Sequence, residues 1–415
     1  MAHFEIEQNM SAKIKVIGCG GGGGNAINNM IESRLTGVSF IAANTDAQDI
    51  EKSLADHTIQ LGSKLTKGLG AGANPEVGRN AALESIDQIR EILQGTDMIF
   101  ITAGMGGGTG TGAAPVIAQA AREAGALTVA VVTKPFYFEG PRRMRQAEKG
   151  IGELKQVVDS IITIPNDRLL QMAAKKAGFS AMLKKADEVL YYAVKGIADL
   201  ITVHGLINLD FADVKAVMTG SGLALMGTGI ASGEGRAKEA ALKAITSPLL
   251  EDVSIAGARG VLFNITANSD MGTDEIQEVS DLIAKEAHED ANIVFGVVAD
   301  DNVGDELCVT VIATSIEERG AVQQTKSEPK PILHPVPVNG RTGAGAGATR
   351  RSSTISSVIA SNNRDLPAFV RFGAAGHGEG QSRSALRAMG APGEEEFLFE
   401  DDALDTPAFI RKNAD

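Results

Sequence analysis

Over the first 165 residues, short apolar runs alternate with stretches whose apolar residues recur every three or four positions. The runs are 13–17, 38–43, 97–103, 126–133 and 160–164, each the length of a strand buried on both faces. The stretches between them read as helices. This alternation predicts a doubly wound α/β domain, Rossmann-like, with a parallel sheet. A longer periodic stretch follows, Ala181 to Thr202, with Leu183, Ala186, Leu190, Ala193, Ile197 and Leu200 on one face. Its length suits a connecting helix between domains. A second α/β unit comes next. Leu223–Ile230, Val261–Ala267, Ile293–Ala299 and Leu307–Thr314 read as strands, and Arg236–Ile245 and Asp274–Glu286 as helices. The expected organisation is an N-terminal extension 1–11, a first domain 12–180, the connecting helix 181–202 and a second domain 203–316. A linker 317–400, rich in Gly, Ser, Ala, Pro and charge, is expected to be disordered. Apolar character returns in the terminal segment 401–415, which holds Phe409 and Ile410.

Three glycine-rich loops precede helical runs, the first and the last of them directly after a strand-like run. They are Gly18-Cys19-Gly20-Gly21-Gly22-Gly23-Gly24-Asn25, Gly68 to Glu76, and Gly104 to Gly112. The helices after them are expected at Ala26–Arg34, 76–93 and Ala113–Ala124. A loop feeding a helix N-terminus presents free N–H groups and the positive end of the dipole, so it suits phosphate. Glycine lets the backbone approach phosphate oxygens, and Thr109 and Thr111 add hydroxyls. A flexible linker would have polar flanks, and the flanks of 104–112 are apolar. Gly18, Gly20 and Gly23 fit the dinucleotide fingerprint, a weak signal alone. Three such loops suggest a polyphosphate held from several sides. The pattern G-x-x-x-x-G-K-[ST] is absent, so neutralisation falls to backbone amides, helix dipoles and a metal ion.

Composition narrows the function classes. The chain has 415 residues, 43% of them hydrophobic, enough for two domains and a tail. A net charge of −13 argues against general nucleic-acid binding and against adhesion to an anionic bilayer. No apolar run reaches the ~18 residues of a membrane span. Met1 to Met10 is polar and acidic, unlike a signal peptide. Cys19 and Cys308 fit a reducing cytosol, Cys19 reading best as a small residue filling a tight turn. The six histidines show no ligand spacing, so no metal site is expected from protein side chains alone.

Several motifs in order resemble the FtsZ family, the tubulin-like GTPases of bacterial cell division. They are Gly21-Gly22-Gly23-Gly24-Asn25, the loop 106–112, Pro135-Phe136 with Glu139-Gly140-Pro141-Arg142-Arg143, Pro165-Asn166-Asp167, and Asn208-Leu209-Asp210-Phe211-Ala212-Asp213. The resemblance covers about 12–316 and the last few residues. It implies GTP or GDP with Mg²⁺, held by Gly20, Gly21, Gly22, Gly23, Gly24, Asn25, Ala71, Gly72, Gly104, Gly107, Gly108, Thr109 and Gly110. It implies Glu139 at the ribose hydroxyls, Arg143 near sugar and phosphates, and Asn166 and Asp187 reading the guanine. Leu183 stands where the family usually has Phe on the base, and Asn29 where many relatives have Arg. Asn208, Asp210 and Asp213 would act from the next subunit of a head-to-tail filament at midcell in the cytoplasm. On the residues alone, Glu139 and Arg143 read as a solvated i,i+4 pair, and Asp187 as a surface helix residue. Asp210 reads as an N-cap and Asp213 as an acid favoured by the helix dipole. A non-polymerising dehydrogenase and a tubulin-like protein of plasmid segregation are the competing readings.

The family ends in a peptide that docks onto membrane-anchoring and regulatory partners. Asp405-Thr406-Pro407-Ala408-Phe409-Ile410-Arg411 matches it. Asp365-Leu366-Pro367-Ala368-Phe369-Val370-Arg371 repeats the same pattern forty residues earlier. Pro407, Phe409, Ile410, Pro367 and Phe369 are the expected contact residues, in a segment that docks in a partner groove rather than inserting in a membrane.

Overall fold

The computed structural model describes residues 12–172, 178–203, 205–250 and 257–315. The extension 1–11, the linker 317–400 and both heptapeptides lie outside the described residues. The first half runs β1 (Ile14–Cys19), α1 (Gly20–Glu32), β2 (Val38–Asn44), α2 (Ala47–Glu51), β3 (His57–Gln60) and α3 (Ser63–Thr66). It continues with α4 (Pro75–Glu84), α5 (Ile86–Leu93), β4 (Met98–Gly104), α6 (Thr109–Glu123), β5 (Leu127–Lys134), α7 (Pro141–Lys155), β6 (Ser160–Pro165) and α8 (Asn166–Met172). The long α9 (Phe179–Thr202) and α10 (Phe211–Met218) lead into β7 (Gly222–Ser232), α11 (Arg236–Ile245) and β8 (Gly260–Ala267). The last elements are α12 (Thr273–Glu286), β9 (Asn292–Ala299) and β10 (Glu306–Thr314).

Among the described residues, ten strands form one sheet, in the order β3-β2-β1-β4-β5-β6-β7-β10-β8-β9. The two α/β units of the sequence pattern share this sheet, because β7 pairs parallel to β6 through Ser160–Gly222, Ile161–Leu223 and Ile162–Ala224. Beyond β7 the sheet is mixed: β10 is antiparallel to β7 and β8, and β9 parallel to β8. Alternate residues of the parallel strands serve opposite faces. Val16, Phe40, Phe100 and Val129 pack with α1 and α9, while Ile17, Ile41, Ile99 and Ala130 pack with α4, α5, α6 and α7.

The expected strands appear within one or two residues. The edge strand β3 is new; of its four residues only Ile59 is buried, so it carries no apolar run. Helix starts differ more. Glycine costs a helix about 1 kcal/mol per residue, which sets the expected start at Ala26. Instead α1 begins at Gly20 and α6 at Thr109, both inside the glycine loops. The stretch 76–93 breaks at Ser85, whose hydroxyl accepts from the Gly62 N–H at 3.1 Å.

Helix α9 lies across the sheet. Ala186, Val189, Leu190, Ala193, Ile197 and Leu200 join Phe100 of the first half and Met226, Leu262 and Ile312 of the second. Leu183, placed on this face by periodicity, is 43% exposed. The turn at Gly37, after α1, meets Thr202 at the far end of α9. So α9 runs parallel to α1 and opposite to the parallel strands, from their carboxyl edge to their amino edge. Its 24 residues span roughly 36 Å at about 1.5 Å each.

Arg236 is the tie of the second half. Only 7% exposed, it donates to Glu275 at 2.7 and 3.0 Å, to the Asp305 carbonyl at 3.1 Å and to Asn268 at 3.4 Å. It thereby joins α11 to the start of α12 and to the turns before α12 and β10. Arg236→Ala strands these acceptors and should cost about 2–4 kcal/mol in urea unfolding. A loss below about 1 kcal/mol would show that the tie is dispensable.

Candidate functional site

The order β3-β2-β1-β4-β5-β6 reverses direction between β1 and β4, and ligands of such sheets bind at the carboxyl edge beside that switch. The first and third glycine loops meet there. A Cβ on Gly20 (φ +72°) would stand 2.9 Å from the Gly110 nitrogen, and one on Gly112 would overlap the Pro75 carbonyl oxygen. These glycines serve backbone packing, bringing the starts of α1, α4 and α6 together. Gly24, Gly72 and Gly107 differ: nothing lies within 4 Å of their missing Cβ atoms. Gly21 has only the Asp49 carboxylate nearby, at 3.3 Å. The concave edge is thus rimmed by bare backbone, with Gly22, Gly23 and Asn25 in the same opening turns of α1 and Gly104 and Gly108 flanking the third loop.

The threonines of that loop are turned inward. The Thr111 hydroxyl accepts from the Gly106 N–H at 2.8 Å and holds the loop's bend. The Thr109 hydroxyl lies 2.6 Å from that of Thr45. Sequence reasoning missed this neighbour and the Asn44 before it. Asn44 Oδ1 accepts from the N–H groups of Thr45 (2.8 Å) and Asp46 (3.3 Å). The Thr45 carbonyl accepts from the Thr66 hydroxyl and the Gly70 N–H, each at 3.2 Å, tying in the second loop with Ala71. The available signal was an Asn-Thr-Asp turn after an apolar run.

Two further strands add side chains to the same edge. After β5, Glu139 accepts from the Phe136 N–H at 2.8 Å and pairs with Arg143 at 2.7 Å. The Arg143 carbonyl sits over Gly106, so this pair borders the third loop. After β6, Asn166 is 7% exposed, and its Oδ1 has no hydrogen-bond partner among the described residues. A buried acceptor without a partner is a costly arrangement that a ligand donor would relieve. On α9, Leu183 and Asp187 stand one turn apart at the end nearest this edge. Asp187 is half-buried, and burial pushes its carboxyl up to about 6. Cys19 is fully buried and its thiol is pushed up to about 12 by desolvation, which makes it unreactive.

Asn208, Asp210 and Asp213 are not brought to this edge. They follow the far end of α9. Asp210 occupies the N-cap position of α10, but its side chain makes no capping bond. All three residues are exposed. Among the described residues no three His, Cys, Asp or Glu side chains converge on a metal position.

The chain is similar to known proteins over most of its length. Residues 13–174 match the model of the Tubulin/FtsZ family GTPase domain, and 222–317 that of the FtsZ family C-terminal domain. The cell division protein FtsZ of Pseudomonas aeruginosa is 48% identical over 414 residues, 99% of this chain and 100% of that protein. The protein of the same name from Coxiella burnetii is 58% identical over 315 residues, 75% of this chain and 82% of its own. Among solved structures, an FtsZ dimer of M. jannaschii superposes with a TM-score of 0.72 at 46% identity, covering 74% of this chain and 89% of that one. The CetZ2 protofilament of Haloferax volcanii, at 20% identity and a TM-score of 0.63, shares the fold, with 74% and 94% covered. A glycine-lined carboxyl edge and these two family matches have one reading: the chain belongs to the Tubulin/FtsZ family of GTPases, in its FtsZ branch.

Proposed function

We propose that the chain is the GTPase of a cell-division filament, acting in the cytoplasm at the division plane. GTP binds at the carboxyl edge of the parallel sheet, and hydrolysis is completed by the acids of the next subunit. The observation that carries this reading is the separation along α9: roughly 36 Å of helix stands between the glycine loops and Asp210. One subunit cannot close that distance, whereas stacking subunits head to tail brings opposite ends together. Such a contact is heterologous and open, so it propagates as a filament.

The base is read by Asp187 and Asn166. An ionised carboxylate accepts from both guanine N1–H and the 2-amino group, and adenine offers neither in that place. Leu183 supplies an apolar face, and Glu139 and Arg143 take the sugar and phosphates. Backbone N–H groups at the starts of α1 and α6 hold the phosphate chain. Mg²⁺ bound to the phosphates supplies charge neutralisation. Asp210 and Asp213, exposed and uncapped, orient the attacking water, and Asn208 lies beside them. Phosphoryl transfer asks mainly for this positioning and charge placement. The tail heptapeptides 365–371 and 405–411 attach the filament to membrane-anchoring partners, and two copies on one chain raise avidity by up to roughly 10²–10⁴.

Asp210→Ala should bind GTP normally, lose most phosphate release, and poison wild-type turnover in mixed filaments beyond dilution. Normal turnover by the variant would remove the acid from the reaction. Asp187 must be ionised to accept, so GTP affinity should fall as pH drops through about 6, approaching tenfold per unit below it. The sign for stability is opposite: the folded value lies above the unfolded 3.8, so this group's contribution to stability declines as pH rises from about 4 to 6. Calorimetric titration of GTP at pH 5 and 7 checks the first, and a flat profile rejects Asp187 as the reader. Deleting 405–415 should weaken capture on an immobilised membrane-anchoring division protein, leaving a remainder that Phe369→Ala removes. Complete loss on deletion alone would make the inner copy inert.

A further inference from the structure

The acidic segment at the far end of α9 is fixed by main-chain bonds to the edge strand of the sheet. We infer that β9 sets the position of Asp210 and Asp213, with Gly205, Val297 and Asn208 as positioning residues; the inference rests on the head-to-tail reading above. The Leu206 N–H donates to the Val297 carbonyl at 2.9 Å, and the Val297 N–H donates back to the Ile207 carbonyl at 3.0 Å. This antiparallel bridge stands outside the regular strands. Gly205 runs so close to it that a Cβ would overlap the Val297 carbonyl oxygen. The Gly205 N–H in turn donates to Asn208 Oδ1 at 2.6 Å and closes a tight turn. The carboxamide oxygen of Asn208 is therefore engaged inside the segment.

Asp210 lies three residues beyond the bridged Ile207, a reach of at most about 10 Å. Asp210 makes no side-chain bond to α10, so its placement comes from the chain on either side. On one side is the bridge. On the other, α10 is anchored by buried Val214, Val217 and Met218. The second half of the molecule thus acts on the reaction through backbone geometry, without a side chain on the substrate.

Gly205→Ala in the full chain tests this. The φ of Gly205 is not in the left-handed region, so the added methyl acts by collision with β9 alone. The nucleotide edge lies at the other end of α9, so GTP affinity and GTP-dependent sedimentation should be unchanged. The kcat for phosphate release should fall at least about tenfold, since a misplacement of about 1 Å costs up to ~10²-fold. Mixing with Asp187→Ala chains, which keep an intact acidic segment, should restore turnover of GTP held by Gly205→Ala chains. Mixing with Asp210→Ala chains should not. An exposed pair of variants covers the case in which Gly205→Ala fails to bind GTP. Asn208→Asp keeps the acceptor for the Gly205 N–H and should retain more turnover than Asn208→Ala. Wild-type kcat in Gly205→Ala, rescue by Asp210→Ala, or equal turnover of the two Asn208 variants overturns the inference. Wild-type kcat in Asp210→Ala would instead overturn the head-to-tail reading itself.

Discussion

Backbone meeting backbone at the switch between β1 and β4 is the constraint on which the rest of this structure depends. The starts of α1, α4 and α6 converge there at distances that exclude a Cβ, as at Gly20 beside Gly110 and Gly112 beneath Pro75. The N-termini of α1 and α6, neither capped by a side chain, then present free N–H groups and their dipoles at this edge. A lysine is not needed for that field. Glycine makes a poor helix, yet α1 opens with five of them. Tertiary packing holds them, which is why the first turn is both helical and bare.

The second constraint is the length of α9. It buries one face against strands from both halves of the sheet, and so sets the distance between two chemically different ends. One end holds an orphaned acceptor, a desolvated carboxylate and open glycines. The other holds exposed acids fixed to β9 through the main chain.

The strand positions were legible because parallel strands buried on both faces show as plain apolar runs. Phe100 and Ile101 serve opposite faces and both are apolar. Strand β3 was not legible, since an edge strand with one buried residue has no pattern. The joining of the two units through β6 and β7 was not legible either, because periodicity says nothing of partner choice. At the site, the glycine loops and the pair Glu139 and Arg143 could be read from spacing and resemblance. The sorting of glycines into packed and open ones could not, since it depends on what stands opposite each. Thr111 shows the same limit: its hydroxyl suits a ligand in sequence and serves the Gly106 N–H in space. Leu183 obeys the buried periodicity of α9 and is nonetheless exposed, because it lies in the first turns of the helix.

The rigid span of α9 also acts as a ruler with a phase. One residue inserted within it would advance Asp210 by about 1.5 Å and turn it by about 100° about the helix axis. The parallel pairing of β6 and β7 advances by about 3.3 Å per residue, so a register slip there cannot compensate a single helical step. Length and azimuth are therefore set twice, by helix and by sheet. Insertions and deletions in this chain should be confined to surface loops and the tail, with the distance between its two ends kept as an invariant.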